Sequence, residues 1–156
     1  MNWRARIEPV ARPILQSWWR FTRGMTLGVR AIVLRKDGCI ALVRHTYIQG
    51  WYLPGGGVER GEPAHEALCR ELAEEAGVAV AGPAELVGVY SNHHWFRGDH
   101  VVLYAVRQWT DCETDHDGEI EDVGWFPPDA LPSGTSPATR RRILEFAGER
   151  QMTHHW

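Results

Sequence analysis

Residues 55–78 read Gly-Gly-Gly-Val-Glu-Arg-Gly-Glu-Pro-Ala-His-Glu-Ala-Leu-Cys-Arg-Glu-Leu-Ala-Glu-Glu-Ala-Gly-Val. Three glycines let the backbone turn tightly and let a ligand approach the main chain. Gly61, Glu62 and Pro63 read as a helix start, with Pro63 suited to the first helical position. Ala64 to Ala76 is a run of helix formers, and Gly77 stands where helices commonly end in a left-handed residue. The stretch is a loop, a helix and a stop.

The helix is dense in acid. Glu71, Glu74 and Glu75 are spaced i, i+3 and i+4, which puts three carboxylates on one face. Like charges at that spacing repel, so something must offset them. A hard divalent cation does so, because Mg²⁺ prefers carboxylate oxygens and keeps waters for phosphate. Leu68 and Leu72, with Ala64 and Ala76, form a separate stripe expected to face the core. Arg70 can reach Glu74 one turn on, or Glu62 at the helix start. A solvated acidic face is the plain alternative for such a helix.

The spacing tells against that alternative. Gly56, Glu62, Arg70-Glu71-Leu72, Glu74-Glu75 and Gly77-Val78, at these intervals, resemble the Nudix box at every fixed position, and Trp51-Tyr52-Leu53-Pro54 resembles its usual lead-in. The resemblance implies an α/β fold of Nudix type: an α/β/α sandwich with a mixed β-sheet, here with an N-terminal helical extension. It implies a Mg²⁺-dependent (or Mn²⁺-dependent) pyrophosphohydrolase that cleaves the diphosphate linkage of a nucleoside diphosphate derivative. By resemblance, Glu74 and Glu75 are the main metal ligands, Glu71 a further ligand or the general base, and the Gly55 carbonyl a member of the metal shell. Gly56, Glu62, Arg70 and Gly77 are structural support. The base in this family also comes from loops outside the box, and Glu119 and Glu121, beside Asp122, are the candidates for that base or for an extra ligand. A non-catalytic nucleotide-binding protein on the same fold is the competing reading; such proteins usually lose the box carboxylates, which this chain keeps.

Composition is ordinary for a soluble globular protein. A chain of 156 residues, 44% hydrophobic and 24% charged, is long enough for one domain with a real core. A net charge of −3 argues against a nucleic-acid coat, and no apolar run is long enough to span a bilayer. Cys39, Cys69 and Cys112 form no disulfide framework, and no secretory pattern opens the chain, so a reducing cytoplasm is expected. Residues 1–24 carry five arginines against Glu8, a net of +4, which leaves −7 on the rest. Val10, Ile14 and Trp18 predict an amphipathic helix over Pro9 to Phe21. It is expected to pack on its own domain or on a second subunit of a homodimer, although basic, Trp-rich helices also lie on membranes.

Residues 25–150 are expected to form the domain. Strands are predicted over Met25–Arg35 and Cys39–Arg44, joined as a hairpin through Asp37-Gly38. Further strands are predicted at Trp51–Leu53, Ala84–Tyr90, His100–Trp109 and Glu119–Phe126. A last helix is capped by Ser136 and runs to Phe146. Residues 151–156 are expected to fray.

Substrate selection is expected outside the box. Among the aromatic residues Tyr47, Trp51, His93, His94, Trp95 and Phe96, Trp51 and Trp95 are the leading candidates to stack a base. Arg44 and Arg97, with Arg30, are candidates for phosphate. ADP-ribose, another nucleotide sugar, a dinucleoside polyphosphate and an oxidised nucleoside triphosphate all remain open. The lead-in has no glutamine of the kind associated with RNA 5′-end enzymes, so a small nucleotide is expected rather than RNA.

Overall fold

The computed structural model describes residues 24–114 and 118–156. The predicted helix over Pro9 to Phe21 lies outside them. The elements run β1 (Thr26–Val33), β2 (Ile40–His45), α1 (Ala64–Ala76), β3 (Val78–Val80), β4 (Glu85–Ser91), β5 (Asp99–Val106), β6 (Trp109–Asp111), β7 (Ile120–Phe126) and α2 (Pro137–Phe146).

A nearly unbroken apolar strand needs cover on both faces, and β1 has it. Val29, Ala31 and Val33 pack with Ala67, Leu68 and Leu72 of α1. Ile32, between them, points the other way, toward Ile40, Leu42, Leu53, Tyr90, Leu103 and Ile143 of α2. β5 divides likewise, with Val102 and Val106 on the α1 side and Leu103 on the α2 side. The result is the expected α/β/α sandwich.

The strands are mixed. β5 lies between β1, which it pairs in parallel, and β4, which it pairs antiparallel. β2 pairs antiparallel with β7, and β3 with β6. The free edge of β1 is taken by the glycine stretch. Val29 N donates to Gly56 O at 2.9 Å, Ala31 N to Pro54 O at 3.0 Å, and Val58 N to Leu27 O at 2.8 Å.

That occupancy corrects the expected β1–β2 hairpin. The Asp37-Gly38 turn forms, with the Asp37 carboxylate accepting from Cys39 N at 3.1 Å, but the strands share only the Leu34–Ile40 bridge. β1 has β5 and the glycine loop on its two edges, so β2 turns away to β7 and to Tyr52. Trp51 and Tyr52 make single bridges, to Thr135 and Val43, rather than a full strand. The long predicted strand ending at Trp109 breaks after Val106. β6 then pairs with β3, a three-residue strand after the helix stop that the pattern did not reveal.

Helix ends follow local chemistry. Gly77 adopts φ 65° and donates to Leu72 O. Pro63 (φ −65°, ψ 140°) is extended and caps α1, one residue earlier than its predicted helical place. Ser136 caps α2 as expected, its Oγ accepting from Thr139 N at 3.1 Å. The segment expected to fray lies along β4 in this structure: Ser91 N donates to His154 O at 2.8 Å and Trp156 N to Ser91 O at 2.9 Å.

Leu68 is fully buried where α1 meets β1. Leu68→Ala is expected to cost roughly 2–5 kcal/mol through transfer and cavity terms, read as a lower midpoint in urea denaturation with an unchanged slope.

Candidate active site

α1 delivers its carboxylates unequally. Glu71 and Glu75 are 13% exposed and line a cleft of about 490 Å³, whereas Glu74 is 50% exposed and does not line it. The cleft floor is the glycine loop, Gly55 to Gly57, held against β1. Glu119, just before β7, and Asp99, at the start of β5, bring the acids lining the same cleft to four, the Asp99 carboxylate accepting from Thr26 Oγ1 at 2.7 Å and Asn92 Nδ2 at 2.8 Å. Arg30, Tyr47, Asn92 and Trp156 also line it.

Two glycines are required by this closeness. Gly55 has φ 133°, a region that disfavours side chains, and its N–H donates to Glu75 Oε2 at 2.7 Å. A Cβ on Gly56 would lie 2.5 Å from the Glu71 carboxylate. The glycines let acid come against backbone.

Arg70 fixes the helix to the loop. Its Nε donates to Glu62 Oε1 at 3.0 Å and its Nη1 to Glu71 Oε1 at 2.8 Å. Nη2 donates to Glu62 Oε2 and to Gly57 O, each at 3.1 Å, and Nη1 reaches Glu74 Oε2 at 3.3 Å. Hydrogen bonds to Glu62 and Glu71 push the Arg70 pKa up, so the guanidinium stays charged. The bond to Arg70 and one from Glu59 N hold Glu62 below the usual carboxylate range. Glu62 and Arg70 thus tie the loop to α1, Gly56 gives room to Glu71, and Gly77 ends the helix.

Glu75 is less well compensated. Burial pushes its carboxyl up to about 7, against the Gly55 N–H and Arg30, with Glu71 and Glu119 adding to the rise. The nearest partner besides the Gly55 N–H is His45, whose Nδ1 lies 3.9 Å from Glu75 Oε1. Burial, followed by Arg30, lowers the His45 pKa, so this neighbour is held neutral and supplies little charge.

Among the described residues, no three metal-ligating side chains are already gathered at coordination distance. The donor set is nonetheless that of a hard divalent cation: carboxylates of Glu71, Glu75 and Glu119 around one cleft, with Glu75 buried and short of positive charge. These residues fit such an ion.

The remaining candidates divide. Trp51, 9% exposed, packs edge-on against Phe126 at 5.0 Å, so its ring belongs to the core. Arg44 lies over Trp51 at 5.2 Å and pairs with Glu121 at 3.1 Å and Asp122 at 3.3 Å. Arg44 and Glu121 line a separate depression beside Thr46 to Gly50. Trp95 is 87% exposed and lines a cavity next to the cleft. Arg97 is exposed and lines none of the cavities described here. Asn92, His45 and Trp156 had drawn no such role from sequence. Their places depend on long-range contacts, and no local pattern marks them.

The raised Glu75 pKa has a consequence for stability. A carboxyl whose pKa is higher folded than unfolded stabilises the fold below its unfolded value near 4.5, and the gain is lost as pH rises through about 7. Without divalent cations, wild-type protein is therefore expected to lose stability relative to Glu75→Gln between pH 5 and pH 8. The differential is on the order of 3 kcal/mol and is read by paired thermal melts in chelator.

Comparison with known proteins agrees with the geometry. The NUDIX domain family model matches residues 24–146. A Bacillus subtilis protein provisionally named an 8-oxo-dGTP diphosphatase is 34% identical over 122 residues, covering 78% of this chain and 79% of that protein. An RNA pyrophosphohydrolase of Halorhodospira halophila is 38% identical over 74 residues, 47% of this chain and 39% of that protein. The crystal structure of a MutT NUDIX hydrolase from Burkholderia pseudomallei superposes with a TM-score of 0.66 at 29% identity, covering 77% of this chain and 96% of that one. The chain belongs to the Nudix hydrolase family, enzymes that cleave phosphorus-containing anhydrides.

Proposed function

We propose that this protein is a Mg²⁺-dependent pyrophosphohydrolase of a small nucleoside diphosphate derivative, with its centre in the cleft between α1 and the glycine loop. The observation that carries the reading is the joint placement of Glu71, Glu75 and Glu119 around one cleft floored by Gly55 to Gly57. An oxidised nucleoside triphosphate is the first substrate to test, because the Bacillus subtilis relative carries that name. Nucleotide sugars such as ADP-ribose follow.

Glu71 and Glu75, with the Gly55 carbonyl, would hold the cation, and Glu74 would join them by a rotation away from Arg70. Bound there, the cation supplies charge neutralisation for phosphoryl oxygens and a lowered pKa for water. The chain's own residues do the rest. Gly55 to Gly57 leave room for phosphate against the backbone, and Arg30 on the cleft wall offers a guanidinium to its oxygens. Water attacks one phosphorus, the bridging P–O bond breaks, and the nucleotide or phosphate fragment departs. Glu119 comes from a different segment than the metal-holding acids, which suits it to accept the water proton. Glu121 is paired with Arg44 instead.

Purified protein with Mg²⁺ is expected to hydrolyse at least one member of a panel of oxidised and ordinary nucleoside triphosphates, nucleotide sugars and dinucleoside polyphosphates. Glu75→Gln is expected to abolish that turnover. Glu119→Gln is expected to lower kcat by roughly 10²–10⁴-fold with little change in KM. Wild-type protein inactive on the whole panel, or full activity in Glu75→Gln, would overturn the reading.

A further inference from the structure

Trp156 reaches the cleft because a segment outside the core elements is tied down. His154 and Trp156 exchange backbone hydrogen bonds with Ser91 at the end of β4. Beneath them Arg142 of α2 is fully buried, a costly place for a charge unless its donors are used. Its Nη1 donates to His155 O at 2.9 Å, and its Nη2 donates to Glu145 Oε1 at 2.8 Å and Thr153 Oγ1 at 2.9 Å. The guanidinium also lies 4.2 Å over the Tyr90 ring. Arg141 Nη2 adds a bond to Trp156 O at 2.9 Å. Two residues of α2 and one of β4 thus fix the position of Trp156.

One side of the Trp156 indole packs against the core cluster that contains Tyr90 and Leu103. Trp156 meets Tyr90 edge-on at 5.8 Å yet stays half-buried. It lines the carboxylate cleft and also a second cavity of about 460 Å³. Arg30 and Asn92 line both as well, so the two spaces adjoin along these three side chains. Beyond them the second cavity is walled by Ile48, Tyr52 and Trp95, a largely apolar and aromatic surface without acid. A nucleotide presents such a pair of surfaces with an anionic end and a flat π-face at the other.

We propose that Trp156 is a specificity-determining residue, its indole stacking on the nucleobase of a substrate whose phosphates lie against Glu71 and Glu75. The assignment rests on the hydrolase reading for the phosphate end, and it concerns recognition rather than the chemical step.

The test is calorimetric titration of the full chain with Mg²⁺, using the four nucleoside monophosphates and inorganic pyrophosphate as probes. Wild type, Trp156→Ala and Trp156→Phe are compared, with circular dichroism melts to confirm folding. The expected result is that Trp156→Ala weakens the best-bound monophosphate by roughly ten-fold or more. Pyrophosphate affinity should stay within about two-fold, and Trp156→Phe should recover most of the loss. Equal losses for nucleotide and pyrophosphate, or an unchanged monophosphate affinity, would overturn the proposal. So would a wild type that binds no monophosphate, or a Trp156→Phe protein that behaves as Trp156→Ala. Base-dependent binding without hydrolysis of any nucleotide would retain the stacking role and overturn the hydrolase reading instead.

Discussion

One guanidinium reconciles the conflicting demands of this fold. α1 carries carboxylates at spacings where they repel, and the adjoining loop gives up backbone freedom at its glycines. Arg70 reaches Glu62 in the loop, Glu71 and Glu74 on the helix, and the Gly57 carbonyl in the loop. The planar fork suits several oxygens at once, a geometry that the point charge of lysine cannot reproduce. Because Arg70 reaches Glu71 and Glu74 but not Glu75, that carboxylate keeps its deficit of positive charge. Structural neutralisation by Arg70 stops at Glu74, one residue short of Glu75.

The sheet supplies the frame for that arrangement. β1 is covered by α1 on one face and by the α2 cluster on the other, while its edges hold β5 and the glycine loop. Three backbone hydrogen bonds, through Pro54 O, Gly56 O and Val58 N, thereby hold the loop to β1. The same sheet orders the second layer: Tyr90 at the end of β4 and Arg142 of α2 meet beneath the segment carrying Trp156. The carboxylate end of the cleft and its aromatic neighbour thus depend on opposite faces of one sheet.

The sequence made some of this legible and hid the rest for physical reasons. The box could be read because its constraints are local: glycine at positive φ, carboxylates on one helix face, a left-handed stop at Gly77. β1, α1 and α2 followed from periodicity and capping, and Ser136 does cap α2. The hairpin failed because strand partners are chosen by competition across the whole sheet, and the turn at Asp37 has no influence on who occupies the β1 edge. β3 was too short to show a period. Arg44 and Trp51 lay beside the box in sequence, but their rings and charges are absorbed by Phe126, Glu121 and Asp122. Glu119 and Glu121 looked equivalent on paper. Only the fold separates the one that lines the cleft from the one that is paired elsewhere.

The central claim is that the Glu71–Glu75 face of α1, and not another acidic cluster, holds the catalytic cation. Titration of Mn²⁺ followed by electron paramagnetic resonance tests it without any choice of substrate. The account predicts a tight site in wild-type protein that is lost in both Glu71→Gln and Glu75→Gln and retained in Glu121→Gln. Undiminished tight binding in Glu75→Gln would contradict it.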